Sequence, residues 1–323
     1  MRTTTLGPAR RAISVLGLGC MSMSHPGRDE EESLSVLRAA LDAGITFLDT
    51  ADKYGKGHNE RLVGTAIAGR RDEVTVATKV GFVGSSRDAK PVDGSPDHIR
   101  RSCDASLERL GTDRIDLYYL HRVDPHVPIE ESVGAMAALV EAGKVAQLGL
   151  SEVTVATLRR AWDVHPVAAV QSEYSIAARE VEEDVLPACR ALGTTFVAYS
   201  PLGIGLLTGR VRTPDDLPPG NRLPKQSRMH DRHRAHNLRI VDELAAIAGD
   251  VGCTLPQLAI AWLLTRDVVP IPSSSRRSYL EDNLGALDVD LGEDVLARID
   301  EVAPIGAFRG ERKSSLGLRL VGR

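Results

Sequence analysis

Thr46-Phe47-Leu48-Asp49-Thr50-Ala51-Asp52-Lys53-Tyr54-Gly55 begins as an apolar strand, ends it on a carboxylate, and brings a phenol next to a glycine just beyond. Two more apolar runs finish the same way. Val74-Thr75-Val76-Ala77-Thr78-Lys79 ends on an amine, and Ile115-Asp116-Leu117-Tyr118-Tyr119-Leu120-His121 ends on an imidazole. In a barrel of parallel strands every such end opens on one face, where active sites are built. A buried aspartate or a lone lysine is ordinarily structural or solvated. Asp49, Tyr54, Lys79 and His121 around one rim form a proton-donating assembly instead.

Outward from that stretch, strand-like and helix-like segments alternate along the chain, the pattern of βα units and a parallel sheet. A hairpin is predicted at Thr3 to Leu6 and Ala12 to Val15, then a strand at Leu16 to Gly19 and a helix over Glu30 to Asp42 that stops at Gly44. Helices follow at Glu60 to Ala68, Pro96 to Leu110 and Ile129 to Ala142. Further strands are Val145 to Leu150, Ala168 to Val170, Thr195 to Ala198 and Val268 to Ile271, with helices at Val155 to Trp162, Glu180 to Leu192, Asn237 to Val251 and Leu255 to Thr265. Two short helices, Tyr279 to Gly285 and Glu293 to Val302, end the series. The expected fold is α/β: a (β/α)₈ TIM barrel with an N-terminal β-hairpin and extra C-terminal helices. It forms a single domain over residues 1–323, with a Gly/Pro/Arg-rich lid or strap at about 202–235. A doubly wound sheet would need a phosphate-binding glycine turn, and Gly17-Leu18-Gly19-Cys20-Met21-Ser22 has serine at the third glycine position.

Composition narrows the function. The 323 residues carry 40 basic and 44 acidic side chains, a net charge of −4. That balance argues against a nucleic-acid surface. Cys20, Cys103, Cys189 and Cys253 are too scattered for a disulfide framework or a zinc site. Met1 to Leu6 offers no signal-peptide core, and the longest apolar run, Leu258 to Leu264, is far short of a membrane span. The expectation is a soluble cytoplasmic protein with no nucleic-acid or membrane partner; its oligomeric state leaves no mark.

A phenol with a pKa near 10 is a poor acid at neutral pH. An ammonium within hydrogen-bonding reach favours the phenolate, and a carboxylate gives that ammonium its counter-ion. Such a set protonates an oxygen that gains negative charge. With Thr78-Lys79, Leu120-His121, Gly149-Leu150-Ser151-Glu152, Gln171-Ser172-Glu173-Tyr174-Ser175 and Ala198-Tyr199-Ser200-Pro201-Leu202-Gly203 added to the opening stretch, the chain resembles the aldo-keto reductases over essentially its whole length. The resemblance implies reduction of a small-molecule aldehyde or ketone with hydride from NADPH. It implies Tyr54 as proton donor, Lys79 as the group that makes it a better acid, Asp49 as the anchor of Lys79, and His121 orienting the carbonyl.

It also implies an NADPH/NADP⁺ cofactor lying extended across the strand ends. Ser151 and Gln171 would bind the carboxamide and Tyr199 would stack on the nicotinamide. Ser200, Leu202, Gly203, Gly205 and Arg210 would strap the pyrophosphate. Ser274, Arg276, Asp282 and Asn283 would hold the adenosine and its 2′-phosphate. This chain has Ser273 and Ser275 where relatives carry a glycine and a basic residue, and a short Cys20 to Gly27 loop without an aromatic. Glu152 stands where other branches have asparagine.

Three other features of the sequence have ordinary structural readings. His230, His233 and His236 recur at helical spacing, but the arginines between them read as a solvated loop rather than a metal site. Trp162 and Trp262 read as packing between helices and barrel, and Asp116 as a buried structural carboxylate. The alternative function is a nicotinamide-cofactor-binding regulatory subunit with little turnover.

Overall fold

The computed structural model describes residues 1–84, 91–216, 223, 226–313 and 318–322. Strands β1 (Thr3–Leu6) and β2 (Arg11–Ser14) pair antiparallel as the expected hairpin. Eight parallel strands follow in chain order: β3 (Leu18–Gly19), β4 (Phe47–Asp49), β5 (Thr75–Val80), β6 (Ile115–Leu120), β7 (Val145–Ser151), β8 (Val167–Glu173), β9 (Thr195–Tyr199) and β10 (Val269–Pro270). Between and after them lie α1 (Glu30–Asp42), α2 (His58–Ile67), α3 (Pro96–Leu110), α4 (Ile129–Glu141), α5 (Val155–Val164), α6 (Val185–Leu192), α7 (Asp231–Val251), α8 (Leu255–Leu264), α9 (Arg277–Gly285) and α10 (Glu293–Val302).

Each strand pairs with its neighbour in sequence, and the ring closes where β3 meets β10. Gly17 N donates to Pro270 O at 3.0 Å, Gly19 N donates to Pro272 O at 3.1 Å, and Gly19 bridges Ser273 in parallel. The approach is close because Gly17 has no side chain: a Cβ there would lie 2.6 Å from the Phe47 ring and 2.9 Å from Ile271. This is the (β/α)₈ architecture expected of the alternating pattern.

Side chains alternate between two apolar layers. Phe47, Ala77, Leu117, Tyr119, Ala169, Val197 and Val269 fill the barrel. Leu37, Val63, Ile99, Met136, Leu158, Leu186 and Leu244 pack the helices around it, with Trp262 fully buried among them. The hairpin stoppers the N-terminal end by sending Leu6 and Ile13 into the inner layer. It is fastened there by Gly7 N on Thr195 Oγ1 and Ser14 N on Thr46 Oγ1, both at 2.8 Å. Asp116, on β6, is structural: it lies between Arg11 at 3.0 Å and Arg71 at 2.7 Å and accepts from Val76 N at 2.9 Å.

Helix ends follow the sequence signals. Asp29 caps α1 by accepting from Glu31 N and Glu32 N. Ser95 caps α3, Pro96 fills its first turn, and Gly111 ends it in the left-handed region. Two helix starts differ from expectation: α6 begins at Val185 rather than Glu180, after a separate short turn at Glu180–Glu182, and the histidine stretch is not a loop, since α7 begins at Asp231, directly after His230, and runs through His233 and His236. An ion pair one turn apart, Asp231 with Arg234 at 2.8 Å, supports that first turn. Of the expected strap, residues 217–222 and 224–225 lie outside the described residues.

Candidate active site

Asp49 ends β4, Lys79 lies one residue from the end of β5, and His121 follows β6 with its N–H on Val80 O at 2.8 Å, extending the ladder. Tyr54 opens a short turn over Tyr54–Gly57, made possible by left-handed backbone at Gly55 (φ 57°) and Gly57 (φ 85°). These four side chains meet at the C-terminal mouth. Lys79 is wholly buried, and its Nζ lies 2.5 Å from Asp49 Oδ1, 2.8 Å from Thr50 O and 3.5 Å from the Tyr54 hydroxyl. Burial pulls the ammonium down, but the Asp49 carboxylate and the Tyr54 oxygen outweigh it and its net direction is up. The amine stays charged at any working pH. The His121 ring stands edge-on to Tyr54 at 5.9 Å and to Phe82 at 4.7 Å.

Above these residues lies a cavity of about 470 Å³ whose wall includes Asp49, Tyr54, Phe82, His121, Ser151, Gln171 and Tyr199. A second of about 340 Å³ continues from it beyond the ends of β9 and β10. Met21, His25, Ser200, Ile204, Ile271 and Ser273 line both, so the two form one groove.

The expected cofactor residues distribute along that groove unevenly. Ser151 Oγ accepts from Arg122 Nη1 at 2.9 Å, and Gln171 Nε2 donates to Asp49 Oδ2 at 2.7 Å. The pair expected to grip a carboxamide is thus already hydrogen-bonded within the protein. Ser200, Leu202, Gly205 and Arg210 line the second cavity. Ser200 (φ 52°), Gly203 (φ 57°), Ile204 (φ 59°) and Gly205 (φ 108°) all adopt left-handed backbone, and Gly203 is buried. Asp282 and Asn283 also reach the second cavity. Ser274 and Arg276 do not line it. Ser274 is fully buried and accepts from Asn283 Nδ2 at 3.0 Å, while Arg276 projects from the surface 5.9 Å from the Tyr279 ring. Ser275 and Tyr279 form the wall in their stead, and Arg210 lies 5.6 Å from the same ring.

Sequence reading missed a cluster of four charges. Glu152 and Glu173, both buried at the ends of β7 and β8, meet Arg312 and Lys313 from the C-terminal segment. Tyr199 joins them: its hydroxyl donates to Glu152 Oε1 and accepts from Lys313 Nζ, which sits 4.8 Å from the ring centre. Burial first, then the Glu152 charge, pushes the Tyr199 phenol up to about 12. Burial works against the Glu152 carboxylate, yet Lys313 and Arg312 hold it well below the ordinary carboxylate range. Two glutamates at neighbouring strand ends were the available signal, since buried carboxylates require cations. Nothing local marked which cations.

The profile of the Aldo/keto reductase family matches residues 15–304. The chain belongs to the aldo/keto reductase family. It is 42% identical over 313 residues to the probable aldo-keto reductase 1 of Glycine max, spanning 95% of this chain and 90% of that one. Among solved structures it is similar to the glycerol dehydrogenase AKR11B4 from Gluconobacter oxydans, with a TM-score of 0.84 at 28% identity over 93% of this chain and 94% of the other. It is also similar to an aldo/keto reductase from Klebsiella pneumoniae in complex with NADP and acetate, with a TM-score of 0.76 at 29% identity over 97% and 99%. Membership makes the protein an oxidoreductase of this family. Among the described residues no single helix is long and apolar enough to cross a membrane.

Proposed function

We propose that this aldo/keto reductase reduces an aldehyde or ketone to the alcohol, with Tyr54 donating the proton and NADPH as the reductant. The observation that carries the reading is the buried Asp49–Lys79 pair placed 3.5 Å behind the Tyr54 hydroxyl. A permanently charged ammonium there stabilises the phenolate left when Tyr54 gives up its proton. The Tyr54 and His121 rings share one wall of the cavity, so a carbonyl oxygen entering between them has a proton donor on one side and an imidazole on the other. His121 orients that oxygen and Tyr54 protonates it.

An extended dinucleotide fits the continuous groove. Tyr199, Ser151 and Gln171 lie at the end next to Tyr54, and Ser200, Leu202, Gly205, Arg210, Ser275, Tyr279, Asp282 and Asn283 lie along the other. Gly203 shapes the turn behind them, and Arg276 and Arg210, both near Tyr279, supply positive charge for a 2′-phosphate. When bound, the cofactor supplies a hydride to the carbonyl carbon. The test follows NADPH consumption over a panel of aliphatic, aromatic and sugar-derived aldehydes, with wild type beside Tyr54→Phe. Turnover that vanishes in the variant supports the reading; turnover that persists in it removes Tyr54 as the donor.

A further inference from the structure

Glu152 and Glu173 end adjacent strands, with Glu173 N donating to Glu152 Oε1 at 3.2 Å, and each keeps no more than 4% of its surface exposed. Two carboxylates side by side out of water repel each other and lose hydration together. Glu152 also sits in left-handed backbone (φ 58°), an uncommon setting for a side chain of this size. The C-terminal segment resolves the conflict. Arg312 binds Glu152 with both prongs, Nη1 to Oε1 at 2.8 Å and Nη2 to Oε2 at 2.6 Å, and reaches Glu173 at 3.4 Å. Lys313 lies 2.9 Å from Glu173 Oε2 and 3.5 Å from Glu152 Oε1. The two cations then reach Tyr199, through Glu152 in one case and directly in the other.

We propose that Arg312 and Lys313 are positioning residues for the nicotinamide end of the groove: docked on the Glu152–Glu173 pair, the C-terminal segment fixes the Tyr199 ring, and the redox half of the site is complete only with that segment in place. The proposal rests on the reading of Tyr199 as the surface against which the nicotinamide lies. The segment has independent moorings. Arg309 N donates to Asn237 Oδ1 at 2.8 Å, Asn237 Nδ2 donates to Arg309 O at 2.9 Å, and Glu311 N donates to Ser227 Oγ at 2.7 Å. Further along, Gly322 N donates to Glu152 O at 3.0 Å. Removing one cation therefore loosens Tyr199 without casting the segment off. Arg312 is the harder of the two to replace, because only a guanidinium matches both Glu152 oxygens at once.

The experiment titrates full-length wild type, Lys313→Met, Lys313→Arg and Arg312→Met with NADPH and, separately, with 2′,5′-ADP, which carries the adenosine end but no nicotinamide. Affinity is read by fluorescence and competition, kcat beside it, and thermal melts verify folding. Both methionine variants should bind NADPH about tenfold more weakly and turn over about tenfold more slowly. Affinity for 2′,5′-ADP should stay within about twofold, and Lys313→Arg should recover most of the loss. A purely structural role would weaken both ligands alike, and that result overturns the proposal. Unchanged or tighter NADPH binding in Lys313→Met overturns it as well, the latter because Lys313 would then be an obstacle. If wild type binds 2′,5′-ADP and NADPH equally, with no contribution from the nicotinamide, the underlying reading falls and the proposal with it. Normal nicotinamide binding in wild type with no change in either variant defeats the proposal alone.

Discussion

Gln171 Nε2 lies 2.7 Å from Asp49 Oδ2, on the opposite side of the carboxylate from Lys79, which holds Oδ1 at 2.5 Å. Asp49 is thereby clamped from two strands, β5 and β8, that lie on either side of the barrel mouth. Its orientation is set by the barrel itself, and the Lys79 ammonium inherits that precision. A group that must sit behind the Tyr54 hydroxyl is thus fixed by side chains with almost no freedom to move.

Asp49→Asn keeps the Gln171 contact geometrically possible but leaves Lys79 buried without its counter-ion. Breaking a buried pair on one side costs about 3–5 kcal/mol. Urea unfolding should show a loss in that range, together with carbonyl reduction near background. A variant as stable as wild type would mean that the pair contributes nothing to the fold.

Tyr54→Phe removes only an oxygen. Loss of a general acid lowers kcat by roughly 10²–10⁴, while NADPH affinity should stay within about twofold because the ring remains. Single-turnover rates and fluorescence titration separate the two effects. A large fall in NADPH affinity would place the Tyr54 hydroxyl in cofactor binding.

Asp52 offers a pH test of stability. Burial first, then the nearby Glu60 carboxylate, pushes its carboxyl up to about 7, and its Oδ1 is buried without a hydrogen-bond partner among the described residues. A raised carboxyl pKa means that the folded state binds the proton more tightly. The stabilisation is full below about pH 4 and is lost as pH rises through about 7. Asp52→Asn should therefore melt like wild type near pH 4 and gain on it steadily up to about pH 8, where the advantage is on the order of a few kcal/mol. Parallel melting curves across that range would remove the ionised Asp52 as a destabilising charge.

At the adenosine end, Arg276→Ala should weaken NADPH binding roughly tenfold or more, as expected for a charge-assisted hydrogen bond, and leave NADH nearly untouched. Tyr279→Ala should weaken both cofactors, since the ring lines the cavity itself. Equal losses for NADPH and NADH in Arg276→Ala would end its role at the 2′-phosphate.

The barrel was legible because strand-like and helix-like runs alternate along the chain, and its site because Asp49, Lys79 and His121 lie at or within one residue of the ends of three strands. Period and punctuation located most helices, since Gly44 and Gly111 halt a chain that would otherwise continue. Adjacent serines were harder. Alternation says that one of Ser274 and Ser275 faces the groove, and only the packing of Ser274 against Asn283 decides which. Arg312 and Lys313 were invisible because a contact between residues far apart in sequence has no local signature. The first turn of α7 was misread because arginine and histidine look solvated in either conformation, and an ion pair such as Asp231–Arg234 forms only once the turn exists.

The seam between β3 and β10 joins Gly17 to Pro270, whereas the other strand pairs link neighbours along the chain. Neighbouring strands can zip early; the seam must wait for two distant stretches to find each other, the slowest kind of encounter in folding. The groove crosses that seam at Gly19, Ile271 and Ser273. A ligand laid along it would act as a staple across the ring's last joint, slowing its reopening, and the protein should resist proteolysis best when its groove is filled.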